Sequence, residues 1–288
     1  MILVTGATGH LGKAIIDSLL KKGIAGRNIA ALVRNENKAA GLKEKGVQVR
    51  IGDYTDHGGL KAALIGVDHL MLVSSSDMSD RLTQHKNVIN AAIENGVKHI
   101  VYTSIDIKDF ATTAIPYVTQ IHIDTANYLK KTGIAYTLLN NTLYADLLPM
   151  FMGAQALETG IYFPAGDGKS PFTARTDMAE AAAVVLTNPG HENKEYAIRA
   201  ETAHSFTEIA EMLTAITGKE VKYHAPGADD YIATLVKAGV PKDNAAFAAG
   251  FGVAIGNHEF ETSQSDLQTL LGRAPVALKE FLKGIYGK

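Results

Sequence analysis

Eight residues near the amino terminus, Thr5-Gly6-Ala7-Thr8-Gly9-His10-Leu11-Gly12, constrain the fold more than any other stretch of the chain. They follow an apolar run at residues 2–5 and precede residues 11–22, where Leu11, Ile15, Ile16, Leu19 and Leu20 share one helical face. Glycines spaced G-x-x-G-x-x-G between a strand and a helix serve three tasks: a tight turn, close backbone approach to a pyrophosphate, and close packing of helix on strand. Free N–H groups and the positive dipole end at the start of the helix then favour phosphate. A glycine triplet alone fits any sharp turn. Its position between a strand and an amphipathic helix is what turns it into a dinucleotide-binding signal.

The alternation continues downstream. Strands are predicted at 28–33, 47–51, 69–73, 98–102 and 135–139, with helices at 35–44, 57–64, 81–95 and 118–131. Apolar strands alternating with helices imply a parallel sheet covered on both faces. Right-handed crossovers make it doubly wound, an α/β Rossmann arrangement. After about Tyr144 the rhythm breaks. A helix is predicted at 146–157, a glycine- and proline-rich stretch at 160–173, an alanine-rich helix at 177–186 and a strand at 194–198. Ser205 and Glu208 fit a capping box, and Ser263 and Asp266 mark another helix start before Leu267, Leu270 and Leu271. The expected division is a dinucleotide-binding domain over 1–145 and a smaller, mainly helical C-terminal lobe over 146–288. Part of the latter, about 174–200, is expected to complete the sheet.

Composition narrows the functions. Twenty-eight basic residues against 30 acidic ones give a net charge of −2, leaving no basic excess to displace counterions from nucleic acid. No cysteine is present, which removes thiolate nucleophiles, iron–sulfur clusters and cysteine-based zinc sites. Redox chemistry would therefore need a bound organic cofactor. No apolar run approaches the ~18 residues of a membrane span. Met1 leads straight into Ile2-Leu3-Val4 with no room for a targeting segment, so a cytoplasmic home is expected. No heptad or other dedicated assembly element is visible, which leaves the oligomeric state open. No His/Asp/Glu cluster has metal-ligand spacing, so no metal is expected.

The residue ending the second strand distinguishes the two nicotinamide dinucleotides. An acidic residue about 20 positions beyond the glycines favours NAD; here Arg34 lies 22 positions after Gly12. Its planar fork suits a 2′-phosphate, so NADP(H) is expected in preference to NAD(H). Asp53 and Tyr54, after the third strand, fall beside the adenine in such a fold. Ser74, Ser75 and Ser76, after the fourth, fall near the phosphates and ribose. The serines fit helix capping or turn formation equally well. His10 sits within the glycine turn, placed to pack over the cofactor.

The residues from Thr5 to Gly12, Val33-Arg34-Asn35, Gly52-Asp53-Tyr54, Ser74-Ser75-Ser76, the run from Gly96 to Ser104 and the run from Tyr136 to Asn141 occur in one order. In that order the chain resembles the NmrA-like atypical short-chain dehydrogenases, and within them the bacterial NADPH:quinone oxidoreductase and triphenylmethane reductase branch. The resemblance runs essentially end to end. It implies that Gly6, Ala7, Thr8, Gly9, His10, Leu11, Arg34, Ser74, Ser75 and Ser76 bind NADP. It implies that Asn141, Thr142, Leu143 and Tyr144 contact the nicotinamide half, and that Thr173 and Arg175 lie near the same cleft. Gly12 and Thr103 join the expected cofactor contacts. Two departures concern the substrate: Asn140-Asn141 stands where relatives commonly carry Arg-Asn, and Asn127 where some carry lysine.

Ordinary short-chain dehydrogenases use a Tyr-x-x-x-Lys pair, in which lysine lowers the tyrosine pKa for proton exchange. None of the 11 tyrosines has a lysine four places on; Tyr128 comes nearest, with Thr132 in that position. Chemistry limited by hydride delivery follows, with a small electrophile such as a quinone or cationic dye stacked on the nicotinamide and accelerated by proximity. Ser104, Asn141 and Tyr144, at the carboxyl ends of the fifth and sixth strands, are the expected catalytic groups; a turn serine and a packed tyrosine are equally consistent readings. Phe110, Tyr117 and His122 are the expected substrate contacts, in or beside the stretch 105–118, which is long enough to form a lid. A structural role fits His122 as well. The alternative to a reductase is a non-catalytic NADP(H)-binding redox sensor, as some NmrA-like proteins are.

Overall fold

A computed structural model describes residues 1–75 and 80–287. Strands β1 (Ile2–Val4), β2 (Ile29–Val33), β3 (Gln48–Ile51), β4 (His69–Leu72), β5 (His99–Ile105), β6 (Ala135–Asn141) and a seventh, Lys194–Ile198, form one sheet. Its order is β3-β2-β1-β4-β5-β6 followed by the seventh strand, and every pairing is parallel. The order reverses between β1 and β4, so the crevice beyond their carboxyl ends is the switch point at which such sheets bind ligands.

Alternate residues explain why the strands read as continuous apolar runs. Ile2, Val4, Ala31, Val33, Met71, Val101, Leu139 and Ile198 face one core, shared with α1 (His10–Lys21) and the helix Arg175–Thr187. Leu3, Ala30, Leu32, Leu70, Leu72, Ile100, Tyr102 and Leu138 face the other. That second core is closed by α3 (His57–Ala63), α4 (Arg81–Glu94) and α5 (Pro116–Lys131), α2 (Ala40–Glu44) lying on the first face. Both faces are buried, as a doubly wound sheet requires.

β5 and β6 run further than the sequence predicts, because Thr103, Ser104 and Ile105 pair in register with Leu139, Asn140 and Asn141. Cross-strand pairing here overrides the low strand propensity of asparagine and serine. The helix predicted at 35–44 is a 3₁₀ turn, Glu36–Ala39, followed by α2, with Asn35 Oδ1 accepting from the Asn37 N–H at 2.9 Å. The helix predicted at 146–157 is split. Gly153 takes φ +85°, separating Leu148–Met152 from Ala156–Thr159.

A third core gathers Phe151, Phe163, Phe172, Phe206, Leu213 and Phe260 under the helices Phe206–Thr217, Ala228–Lys237, Lys242–Gly256 and Leu278–Tyr286. The capping box at Ser205 and Glu208 is formed in both directions. At the later helix start Asp266 makes no cap. Its carboxylate instead accepts from the Ala197 N–H at 2.8 Å, and Leu267 packs into the core shared by α1 and Arg175–Thr187.

Candidate active site

The cleft begins at the end of β1. Buried Thr5 joins the two central strands: its N–H donates to Met71 O at 3.0 Å, and its hydroxyl accepts from the Val73 N–H at 2.9 Å. Gly6 then takes φ +58°, a left-handed conformation that side chains disfavour. Its carbonyl accepts from the Gly9 N–H at 2.8 Å, and a Cβ on Gly12 would lie 2.3 Å from that same oxygen. The first turn of α1 is thus pressed against the glycine turn. Gly9 supplies no side-chain cap and the first turn holds no acid, so the N–H groups and dipole at this end are left for an anion.

A cleft of about 600 Å³ extends from this turn. Gly6, Thr8, Gly9, His10, Leu11, Gly12, Arg34, Asp53, Tyr54, Ser74, Ser75, Thr103 and Tyr144 line it, all anticipated from sequence. Gln84 and Arg175 also line it. Arg34 is exposed at one end, and no hydrogen bond or ion pair with another described residue holds its guanidinium. Asp53 Oδ1 accepts from the Thr55 N–H at 2.9 Å and hydroxyl at 2.7 Å, folding the chain back after β3. The Tyr54 hydroxyl donates to Val73 O at 3.3 Å. Burial raises the Tyr54 pKa, outweighing the opposing pull of Thr5 and of the Arg34 charge.

Behind the serines lies a buried polar network. The Ser74 N–H donates to Thr103 Oγ1 at 2.8 Å and the Ser75 N–H to His85 Nε2 at 3.1 Å. Arg81, buried, donates to Ser74 Oγ and, at 2.7 Å, to His122 Nε2. With Nε2 accepting, the neutral His122 carries its proton on Nδ1, which faces the Tyr102 hydroxyl at 2.9 Å. By the same logic His85 Nδ1–H faces Thr125 Oγ1 at 3.0 Å. Burial, reinforced by the Arg81 charge, pushes His85 down to about 3 and His122 well below its usual range. Burial pushes the Tyr102 phenol up to about 12.

At the inner end, Tyr144 is fixed by a backbone bridge to Thr173: the Thr173 N–H donates to Leu143 O at 3.0 Å and the Ala145 N–H to Thr173 O at 2.9 Å. The guanidinium of Arg175 lies 4.6 Å over the Tyr144 ring. Asp146 holds Arg175, accepting from its backbone N–H at 2.9 Å, with Oδ1 3.7 Å from Nη1. Burial raises the Tyr144 pKa, while Asn141, Arg175 and Arg81 pull it the other way.

Several expected contacts stand elsewhere. His122 is an interior residue with both ring nitrogens engaged, because α5 packs it against β5 and Arg81, and it does not line the cleft. Tyr117 is half exposed, its ring 5.5 Å from Phe247 and its hydroxyl donating to Phe247 O at 3.3 Å. Phe110 is exposed on the loop before α5. Neither lines the cleft. The Thr173 hydroxyl is used in the backbone framework, donating to Pro171 O and accepting from the Ala200 N–H, both at 2.7 Å. Ala7, Ser104 and Leu143 are buried beside the cleft rather than on its wall. Asn141 and Thr142 are buried too, and Asn141 Oδ1 and Thr142 Oγ1 have no partner among the described residues. Ser76 lies outside the described residues. Among the described residues no group of His, Asp and Glu is arranged to hold a metal, and no helix is long and apolar enough to cross a membrane.

Sequence missed Arg81 and Gln84, which sit in the first turn of α4 with no motif around them. Their only signal is position, since a helix following β4 starts at the switch point.

Comparison with known proteins agrees with this geometry. The profile of the NmrA-like family matches residues 1–271. Quinone oxidoreductase 2 of Escherichia coli (strain K12) is 38% identical over 287 residues, 99% of each chain. The structure of an NADPH-dependent quinone oxidoreductase from Escherichia coli complexed with NADPH superposes with a TM-score of 0.93 at 37% identity, covering 100% of both chains. That of a Citrobacter sp. triphenylmethane reductase complexed with NADP(H) gives 0.91 at 38% identity over 99% of each. Sequence and fold agree along the whole length, and the chain belongs to the NmrA-like family.

Proposed function

We propose that this chain is an NADPH-dependent reductase that passes a hydride to quinone-like, electrophilic small molecules. One observation carries the reading: an uncapped helix start pressed onto a glycine turn opens into the same cleft as an uncommitted arginine after β2. The residues fit NADP(H) chemically. The first turn of α1 suits the pyrophosphate and Arg34 the 2′-phosphate. Asn141 Oδ1 and Thr142 Oγ1, buried without a partner among the described residues, would accept from a carboxamide donor. The relatives named for NADPH-dependent quinone reduction support the same cofactor and substrate class.

NADPH, when bound, supplies a hydride. The protein's part is to hold and orient. Thr5 and the glycine turn would hold the phosphates, the Ser74–Arg81–His122 network braces the cleft wall at the end of β4, and Tyr144 with Arg175 closes the inner end. Ser104 and Asn141 support this end from β5 and β6. Orientation of a stacked electrophile provides much of the acceleration. We assign residues 1–145 and about 174–200 to the nucleotide-binding unit and the rest chiefly to the substrate lobe. We place the activity in the cytoplasm, where NADPH is available to a small-molecule reductase.

The test is stopped-flow absorbance of NADPH with a panel of quinones and electrophilic dyes. Oxidation of NADPH by quinones is the expected result. Tight NADPH binding with no oxidation across the panel overturns the reductase reading in favour of a redox sensor.

A further inference from the structure

The reduction of a quinone needs a proton as well as a hydride, and the usual tyrosine–lysine source is missing. Tyr128, the tyrosine nearest to that motif, gives its hydroxyl to Asn90 Oδ1 at 2.6 Å between α5 and α4. Tyr144 is differently placed. It lines the cleft together with Arg175, whose guanidinium faces the ring at 4.6 Å. Asp146 anchors that guanidinium through both the backbone and the side chain of Arg175, and the bridge to Thr173 fixes the Tyr144 backbone.

A fixed cation facing a phenol stabilises the phenolate left when the proton departs, the part lysine plays in a Tyr-x-x-x-Lys pair, although here burial leaves the resting phenol with a raised pKa. Arginine keeps its charge throughout and therefore acts as a constant field rather than a proton carrier. On the premise of the reductase function above, we propose that Tyr144 donates the proton that completes reduction of a quinone-type acceptor, with Arg175 as its positioning residue.

The balance is complete. The acceptor takes a hydride from the reduced nicotinamide and is left with an anionic oxygen. The O–H bond of Tyr144 breaks as the hydroquinone O–H bond forms, and the tyrosinate recovers a proton from solvent. Burial keeps the phenol protonated at neutral pH before transfer, and Asn141, Arg175 and Arg81 favour its loss once an oxyanion is beside it.

Single-turnover oxidation of NADPH by a benzoquinone, in H₂O and D₂O, tests the assignment in the wild type and in Tyr144→Phe. The wild type should show a normal solvent isotope effect. Tyr144→Phe, measured at saturating NADPH, should lose that effect and slow quinone reduction by about 100-fold or more. A triphenylmethane carbocation takes up hydride without a proton, so the quinone rate should fall relative to the dye rate. Arg175→Lys should restore rate and isotope effect that Arg175→Gln loses. A Tyr144→Phe protein with the isotope effect intact, or with quinone and dye slowed equally, overturns the proton-donor role and leaves the reductase function standing. A wild type that oxidises NADPH with neither acceptor overturns the function itself.

Discussion

Gly12 lies so close to the carbonyl of Gly6 that a Cβ placed on it would sit 2.3 Å from that oxygen. Backbone meets backbone here, so no side-chain rotation can relieve the contact. Gly12→Ala should cost about 1–3 kcal/mol of stability and weaken NADPH binding by displacing α1 from the turn. Urea denaturation with NADPH fluorescence titration reads both. Wild-type affinity in the variant would show that the close approach is unnecessary.

Arg34 is the only residue assigned to the 2′-phosphate, and that phosphate is the only difference between the two dinucleotides. Arg34→Ala should weaken NADPH by roughly 10- to 100-fold, the equivalent of about 1.5–3 kcal/mol, and leave NADH nearly unchanged. Because the guanidinium is exposed, the preference should also narrow as salt is added. Parallel isothermal titrations check it, and equal losses for both nucleotides would refute the role.

Acid should destabilise the fold through the histidines behind the cleft. Burial holds His85 at about 3 and His122 well below its usual range, whereas in the unfolded chain both titrate near about 6.5. Between those values the unfolded state binds more protons. Stability is therefore full above about pH 6.5 and falls as pH drops toward about 3, by about 1.4 kcal/mol per pH unit for His85, with His122 acting in the same direction. His85→Gln, whose amide oxygen can still accept from the Ser75 N–H, should flatten the slope in urea melts taken from about pH 7 to about pH 4.

Glu259 pins the loop between β5 and α5. Its buried carboxylate accepts from the Thr113 hydroxyl at 2.7 Å, the Ala114 N–H at 3.0 Å and Asn257 Nδ2 at 3.1 Å. Its carbonyl accepts from the Lys108 N–H at 2.8 Å. Glu259→Ala strands three donors, at about 1–3 kcal/mol for each one that stays buried. Limited proteolysis should then cut first within residues 106–115. Cleavage elsewhere at the wild-type rate would mean that the loop is held by other contacts.

The glycine-turn end of the cleft was legible because its physics is local. A glycine turn between a strand and an amphipathic helix has few uses, and Arg34 follows at a spacing set by one β-α-β unit. The inner half depends on which distant elements meet. His122 reads as a cleft residue from its place after β5, yet α5 turns it inward onto Arg81 and Tyr102. Arg81 carries no motif, and its role exists only because α4 begins beside Ser74. The fold was misjudged in the same way where polar residues extend β5 and β6, since their pairing depends on a partner strand and not on their own propensity.

The seventh strand of the sheet has a consequence for synthesis on the ribosome. β6 ends at Asn141, but its outer neighbour is not translated until Lys194–Ile198, and the Asp266 carboxylate that holds the Ala197 N–H comes later still. Throughout that interval the nascent chain carries a bare parallel edge, the kind of template on which stray polypeptide pairs. A product released early, or a fragment cut to the first 145 residues, would keep the glycine turn but should aggregate along β6.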